Sequence, residues 1–94
     1  MAAYVIAEVD VTDPETYKAY QALTPGSIAR HGGRFVVRGG ATQSLEGAPP
    51  KRVVVAEFES MEAARRWYHS RDYSEARAIR EKAAKTRLYF VEGA

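Results

Sequence analysis

Two glutamates stand at matching places in two similar tetrapeptides. Ala7-Glu8-Val9-Asp10 returns as Ala56-Glu57-Phe58-Glu59, 49 residues later. Two carboxylates held side by side cannot both ionise cheaply, so one acquires a raised pKa and can act as acid or base. If the tetrapeptides lie on equivalent strands, Glu8 and Glu57 are expected within about 8 Å of each other on one sheet face. They are the catalytic candidates. The competing reading pairs each with an arginine, Arg80 for example, or leaves it at a solvated strand end.

A second constellation is aromatic and basic. Tyr17, Tyr20, Trp67, Tyr68 and Tyr73 fall on the inner stripes of two helical segments. Such stripes build core, but Tyr and Trp also carry polar tips that need partners when buried. Both segments are expected to break midway, which leaves a gap over the sheet. A gap lined by Tyr20, Tyr68 and Tyr73, with Arg38 or Arg80 reaching in, suits a small, planar, anionic or carbonyl-bearing ligand. These five residues are the expected ligand contacts.

Other chemistry is poorly supplied. The chain has no cysteine, so it has no disulfide, thiolate ligand or cysteine nucleophile. His31 and His69 sit at expected helix ends, where the last carbonyls and the dipole favour histidine. Two histidines without clustered carboxylates do not make a metal site, and a haem role would need one of them as axial ligand. Neither metal nor cofactor is expected. Ser70 reads as a helix cap rather than a nucleophile, for want of a His–carboxylate relay. Arg38-Gly39-Gly40 lacks the strand–loop–helix setting of a phosphate loop.

The elements that must position these residues follow from local signals. Tyr4–Val11 is a β-branched strand, apolar at its start on both faces. Thr12 and Glu15 have capping-box spacing, and Pro14 suits a first helical turn. Pro25-Gly26 is expected to end that helix, with a short second piece from Ser27 to about Arg30. Gly32-Gly33 and Gly40-preceded-by-Gly39 flank the strand Arg34-Phe35-Val36-Val37-Arg38, marking a sharp entry and a bulge or bend at the exit. Gly47-Ala48-Pro49-Pro50 is a turn into Arg52–Phe58, the most apolar strand. If that turn centres the hairpin, residues 41–46 pair with this strand, and residues 34–38 overrun it toward a second subunit; the alternative is that the bulge absorbs the excess and the whole strand stays within one sheet. Ser60 caps a helix striped by Met61, Ala64, Trp67 and Tyr68; Ser70 or Asp72 caps its continuation through Tyr73, Ala76, Ile79, Arg80 and Ala83. Thr86–Val91 is the last strand.

The order is strand, helix, strand twice over, within one domain spanning residues 1–94. It predicts a ferredoxin-like βαββαβ sandwich: a four-stranded antiparallel sheet, strand order 4-1-3-2, helices on one face. The first and third strands are expected as parallel central neighbours. The uncovered face carries Tyr4 and Ile6 or else Val5, Ala7 and Val9, plus alternate valines of the third strand, too apolar for a monomer, so a homodimer is expected. A net charge of +2 is too balanced to imply nucleic-acid binding. No stretch reads as a signal peptide or membrane span, which makes the cytoplasm the expected compartment.

Gly32-Gly33-Arg34-Phe35, Arg38-Gly39-Gly40, Leu45-Glu46-Gly47 and Trp67-Tyr68-His69-Ser70 with Tyr73 and Arg80 together resemble the bacterial family called domain of unknown function 1330. The resemblance covers nearly the whole chain. It implies a dimeric α/β-barrel, the superfamily that also holds cofactor-free monooxygenases, muconolactone-type isomerases and haem-binding chlorite dismutases. It brings no agreed catalytic residues. Two functions stand side by side. One is a homodimer that binds a small aromatic or carbonyl compound, with cofactor-free monooxygenase or isomerase chemistry. The other is a non-catalytic dimeric interaction or stress-response module.

Overall fold

A computed structural model describes all 94 residues. The elements are β1 (Ala3–Val11), α1 (Pro14–Arg30), β2 (Arg34–Arg38), β3 (Arg52–Phe58), α2 (Met61–Tyr68), α3 (Arg71–Ala83) and β4 (Ala84–Glu92). They form one antiparallel sheet, ordered β2-β3-β1-β4, with the helices on one face. This is the ferredoxin-like arrangement, with its second helix in two pieces.

Alternation along β1 sets the two faces. Val5, Ala7 and Val9 are buried under the helices, while Tyr4, Ile6, Glu8 and Asp10 point to the other side. Tyr17, Phe58, Trp67 and Tyr73 are the large aromatic side chains of the core. The Trp67 and Tyr73 rings lie 4.0 Å apart between centroids, and Phe58 packs on Trp67 at 5.5 Å. The indole Nε1 donates to Ser27 Oγ at 3.1 Å, so the polar tip of Trp67 is satisfied inside α1's contact. No helix is long and apolar enough to cross a membrane.

Local signals placed most boundaries. Ser60 and Ser70 cap α2 and α3 through Ala63 N and Tyr73 N. Gly32 has φ +76° and lets the chain leave α1, and Gly33 lies under the Phe58 ring, where an added Cβ would come within 2.5 Å. Gly39, φ +72°, ends β2.

Four expectations are corrected. β1 and β3 are antiparallel, with Ile6 opposite Val55. In this topology β2 is a hairpin partner of β3 and lies parallel to β1, so β3 must run against both. The N-cap of α1 is Asp13, not Thr12: Asp13 accepts from Thr16 N at 3.2 Å, while Thr12 bonds Ala83 O. α1 runs unbroken through Pro25 to Arg30. Finally, it is residues 34–38, not 41–46, that pair with β3. Phe35 faces Ala56 and Val37 faces Val55, so Val36 is an extra residue in a bulge that keeps the whole strand within one sheet.

Candidate functional site

The antiparallel register separates the two glutamates. Glu8 lies two residues past Ile6, and Glu57 two residues past Val55. On antiparallel strands those steps lead in opposite directions. The two share the helix-free face but sit at opposite ends of it, roughly 14 Å apart at four residues of strand rise. Glu8 accepts from Tyr89 Oη at 2.8 Å and lies 3.6 Å from Arg87. Glu57 meets Arg34 at 2.6 Å. Each is an ion-paired carboxylate beside a tyrosine, and no dyad forms.

On the other face, the aromatic and basic set partly converges. A cavity lies between α1, α3 and the sheet, with free room of about 40 Å³ for the centre of a water molecule. Its wall is mostly apolar, from Val5, Val54, Ala56, Leu88 and Trp67 among others. Tyr20, Arg38 and Arg80 line it, as three of the five expected contacts. Tyr73 stands directly behind them. Its hydroxyl accepts from Arg80 Nη1 at 3.0 Å and shares a 2.9 Å hydrogen bond with Tyr20 Oη. Tyr68 is elsewhere: its hydroxyl accepts from Arg77 Nη1 at 2.7 Å, and the same guanidinium covers its ring.

Each lining residue is placed by its element. Tyr17, Tyr20, Thr24 and Ile28 recur at helical spacing along α1 and turn one stripe to the sheet. Arg80 lies one α3 stripe from Tyr73 and Ala76, and is buried with them. Arg52, Val54, Ala56 and Phe58 alternate on the helix side of β3, and Arg38 opposite Val54 shares that side. Arg52 belongs to the site although the sequence reading did not single it out. The signal was strand parity: an arginine in phase with Val54, Ala56 and Phe58 must enter the helix–sheet layer.

The electrostatics are one-sided. Arg38, Arg52 and Arg80 all line the cavity, and no Asp, Glu or His does. Burial pushes the Tyr20 and Tyr73 hydroxyls above the usual phenol range, so both stay protonated at neutral pH. Arg38 leans on the Phe35 ring at 4.5 Å from its centroid, and its Nη2 donates to Gln21 O at 3.0 Å. That bond ties β2 to α1 at the exposed side of the cavity.

The histidines cap helices, as their positions implied. His31 and His69 are the C-caps of α1 and α2, and His31 Nδ1 is 2.8 Å from Ser27 O.

Fold and site together define a ferredoxin-like domain with an arginine-bearing cavity between helices and sheet. The chain belongs to the family described as domain of unknown function (DUF1330), whose model matches residues 2–94. Among solved structures, it is similar to the RPA0582 protein of unknown function from Rhodopseudomonas palustris. That likeness has 23% identity and TM-score 0.80, over 99% of this chain and 82% of the other. SnoaB from Streptomyces nogalater, described as a cofactor-independent oxygenase, is similar at 14% identity and TM-score 0.69, over 99% and 93% of the two chains. A dimeric protein of unknown function and ferredoxin-like fold from Bacteroides fragilis aligns at 12% identity and TM-score 0.59, over 98% and 96%. At these identities the likenesses show the fold alone. No curated protein matches.

Proposed function

We propose that the chain is a homodimer that binds a small aromatic or carbonyl compound in the cavity between α1, α3 and the sheet. The observation that carries this is the composition of the wall: apolar surface to desolvate a small molecule, with Tyr20, Arg38, Arg52 and Arg80 converging as polar contacts. The homodimer is supported by the helix-free face, where Val37, Tyr89 and Val91 keep 39%, 39% and 46% of their surface exposed. Apolar exposure of that kind in one sheet favours sheet-to-sheet association.

Cofactor-free oxygenase or isomerase chemistry is the catalytic form of this reading, and the SnoaB likeness supports it only through the fold. Arginines around a substrate carbonyl stabilise negative charge as it develops on that oxygen. The wall offers no carboxylate or histidine to take a substrate proton. Turnover therefore requires a substrate acidic enough to ionise without a protein base. The same feature favours a second reading, binding without turnover by a non-catalytic dimeric module.

A thermal-shift series with small aromatic ketones and lactones tests the cavity. Compounds that bind the folded chain raise its melting temperature. The Val54→Phe variant fills the wall and should lose every shift seen with the natural chain. If no compound shifts the natural chain, or if Val54→Phe shifts equally, the cavity is not the binding site.

A further inference from the structure

Resting on the cavity reading above, we infer that the cavity takes its ligand as an anion, the carboxylate of a small organic acid, with Arg80 holding the charge. Arg80 is only 8% exposed. A guanidinium has five donors and cannot be deprotonated in a protein. Here Nη1 is used by Tyr73, and Nε is buried without a partner. No carboxylate lies within ion-pair distance of Arg80, Arg52 or Arg38; the ion pairs of this chain use Lys18, Arg30, Arg34, Lys51, Arg66 and Arg87. Arg52 repeats the pattern, with its Nε also buried and unpartnered. A charge inside a low-dielectric layer is costly unless a counter-charge meets it. The wall cannot provide one: it contains no acid, and the Tyr73 hydroxyl bonded to Arg80 and the Tyr20 hydroxyl bonded to Tyr73 both resist ionisation.

The size of the room selects the part of the ligand that enters. The free room is small, about 40 Å³ for the centre of a water molecule, so a compact head group enters it and the bulk of a ligand stays outside. A carboxylate is such a head group. Its planar oxygens match the arginine fork, and the Tyr20 hydroxyl adds a donor beside it. The rest of the molecule, ring or short chain, then extends toward Phe35 and Arg38, where the wall opens. Arg38 is exposed, so it can leave Gln21 O and close on the ligand from outside.

Titration calorimetry and thermal shift at pH 7 and fixed ionic strength, with benzoate, benzamide and inorganic phosphate, test the inference. Benzoate should bind at least about tenfold tighter than benzamide, the worth of a charge-assisted hydrogen bond. Phosphate should give no shift. Arg80→Met should erase the preference, leaving benzoate and benzamide alike. Arg80→Lys, which keeps the charge and loses the fork, should retain a reduced preference and serves if the Met variant does not fold. Equal binding of benzoate and benzamide by the natural chain overturns the anion assignment and leaves the cavity reading standing. A phosphate shift equal to that of benzoate overturns the carboxylate class. No binding by either benzoate or benzamide removes the anion assignment together with the cavity reading on which it rests.

Discussion

Arg38 Nη2 donates to the main-chain oxygen of Gln21, and Pro25 stands four residues further along α1. The two facts are one device. A proline has no N–H, so the carbonyl four residues before it loses its helical donor. Gln21 O is that carbonyl. Arg38 supplies a donor from β2, across the layer boundary, and Thr24 Oγ1 adds a long contact at 3.5 Å. The helix survives its proline, and the edge strand is tied to the helix beside the cavity.

Replacing Pro25 by alanine restores an N–H to Gln21 O. Proline is about 3 kcal/mol worse than alanine inside a helix, and its native accommodation here reduces the gain to about 1–2 kcal/mol. Urea unfolding should show Pro25→Ala more stable than the natural chain. A less stable variant would mean that the proline fits α1 without strain.

Trp67 is 2% exposed and touches Phe58, Tyr68 and Tyr73. Trp67→Ala should cost about 3–5 kcal/mol, a large part of the stability of a domain of this size. Trp67→Phe should cost less, losing chiefly the bond to Ser27. Melting curves that match the natural chain would show the indole is not central to the core.

Asp72 has a pKa lowered to about 2, first by the Ser70 hydroxyl and then by Arg30, whose Nη2 lies 2.6 Å away. The folded value is below the ordinary 3.8, so folding favours the ionised form. This contribution is complete above about pH 4 and disappears as pH falls toward 2. The difference in melting temperature between the natural chain and Asp72→Asn should therefore be largest above pH 4 and close by pH 2. A difference that is flat across that range would show that Asp72 acts through something other than its charge.

Val37 and Val91 lie on the helix-free face, opposite Val55 and Tyr4 respectively. Lysine at either place puts a charge where a second sheet would pack. Light scattering should give a dimer mass for the natural chain and a monomer mass for Val37→Lys and Val91→Lys, with helical content kept. A natural chain that is monomeric at micromolar concentration, or variants that stay dimeric, would remove this face as the seam.

The sequence by itself determined most of the elements and their order. Ser60 and Ser70 as caps, Gly32 and Gly39 around a five-residue strand, and the Trp67 stripe are signals that act within a few residues, so they read directly. The alternation of Val5, Ala7 and Val9 with Tyr4, Ile6 and Glu8 is likewise local, but both sets begin apolar, and only packing decided that the helices cover the first. The tertiary structure decided which distant residues meet. The likeness of Ala7–Asp10 to Ala56–Glu59 carries no strand direction, and the antiparallel pairing sends Glu8 and Glu57 to opposite ends. The bulge at Val36 kept residues 34–38 inside one sheet, because an added residue can be absorbed there without unpairing the strand. Arg38, Arg52 and Arg80 come from three elements, and only packing α3 and α1 onto β3 and β2 gathers them in one layer. A charge becomes a site when its neighbours fail to neutralise it, and those neighbours are set by the fold rather than by the order of the chain.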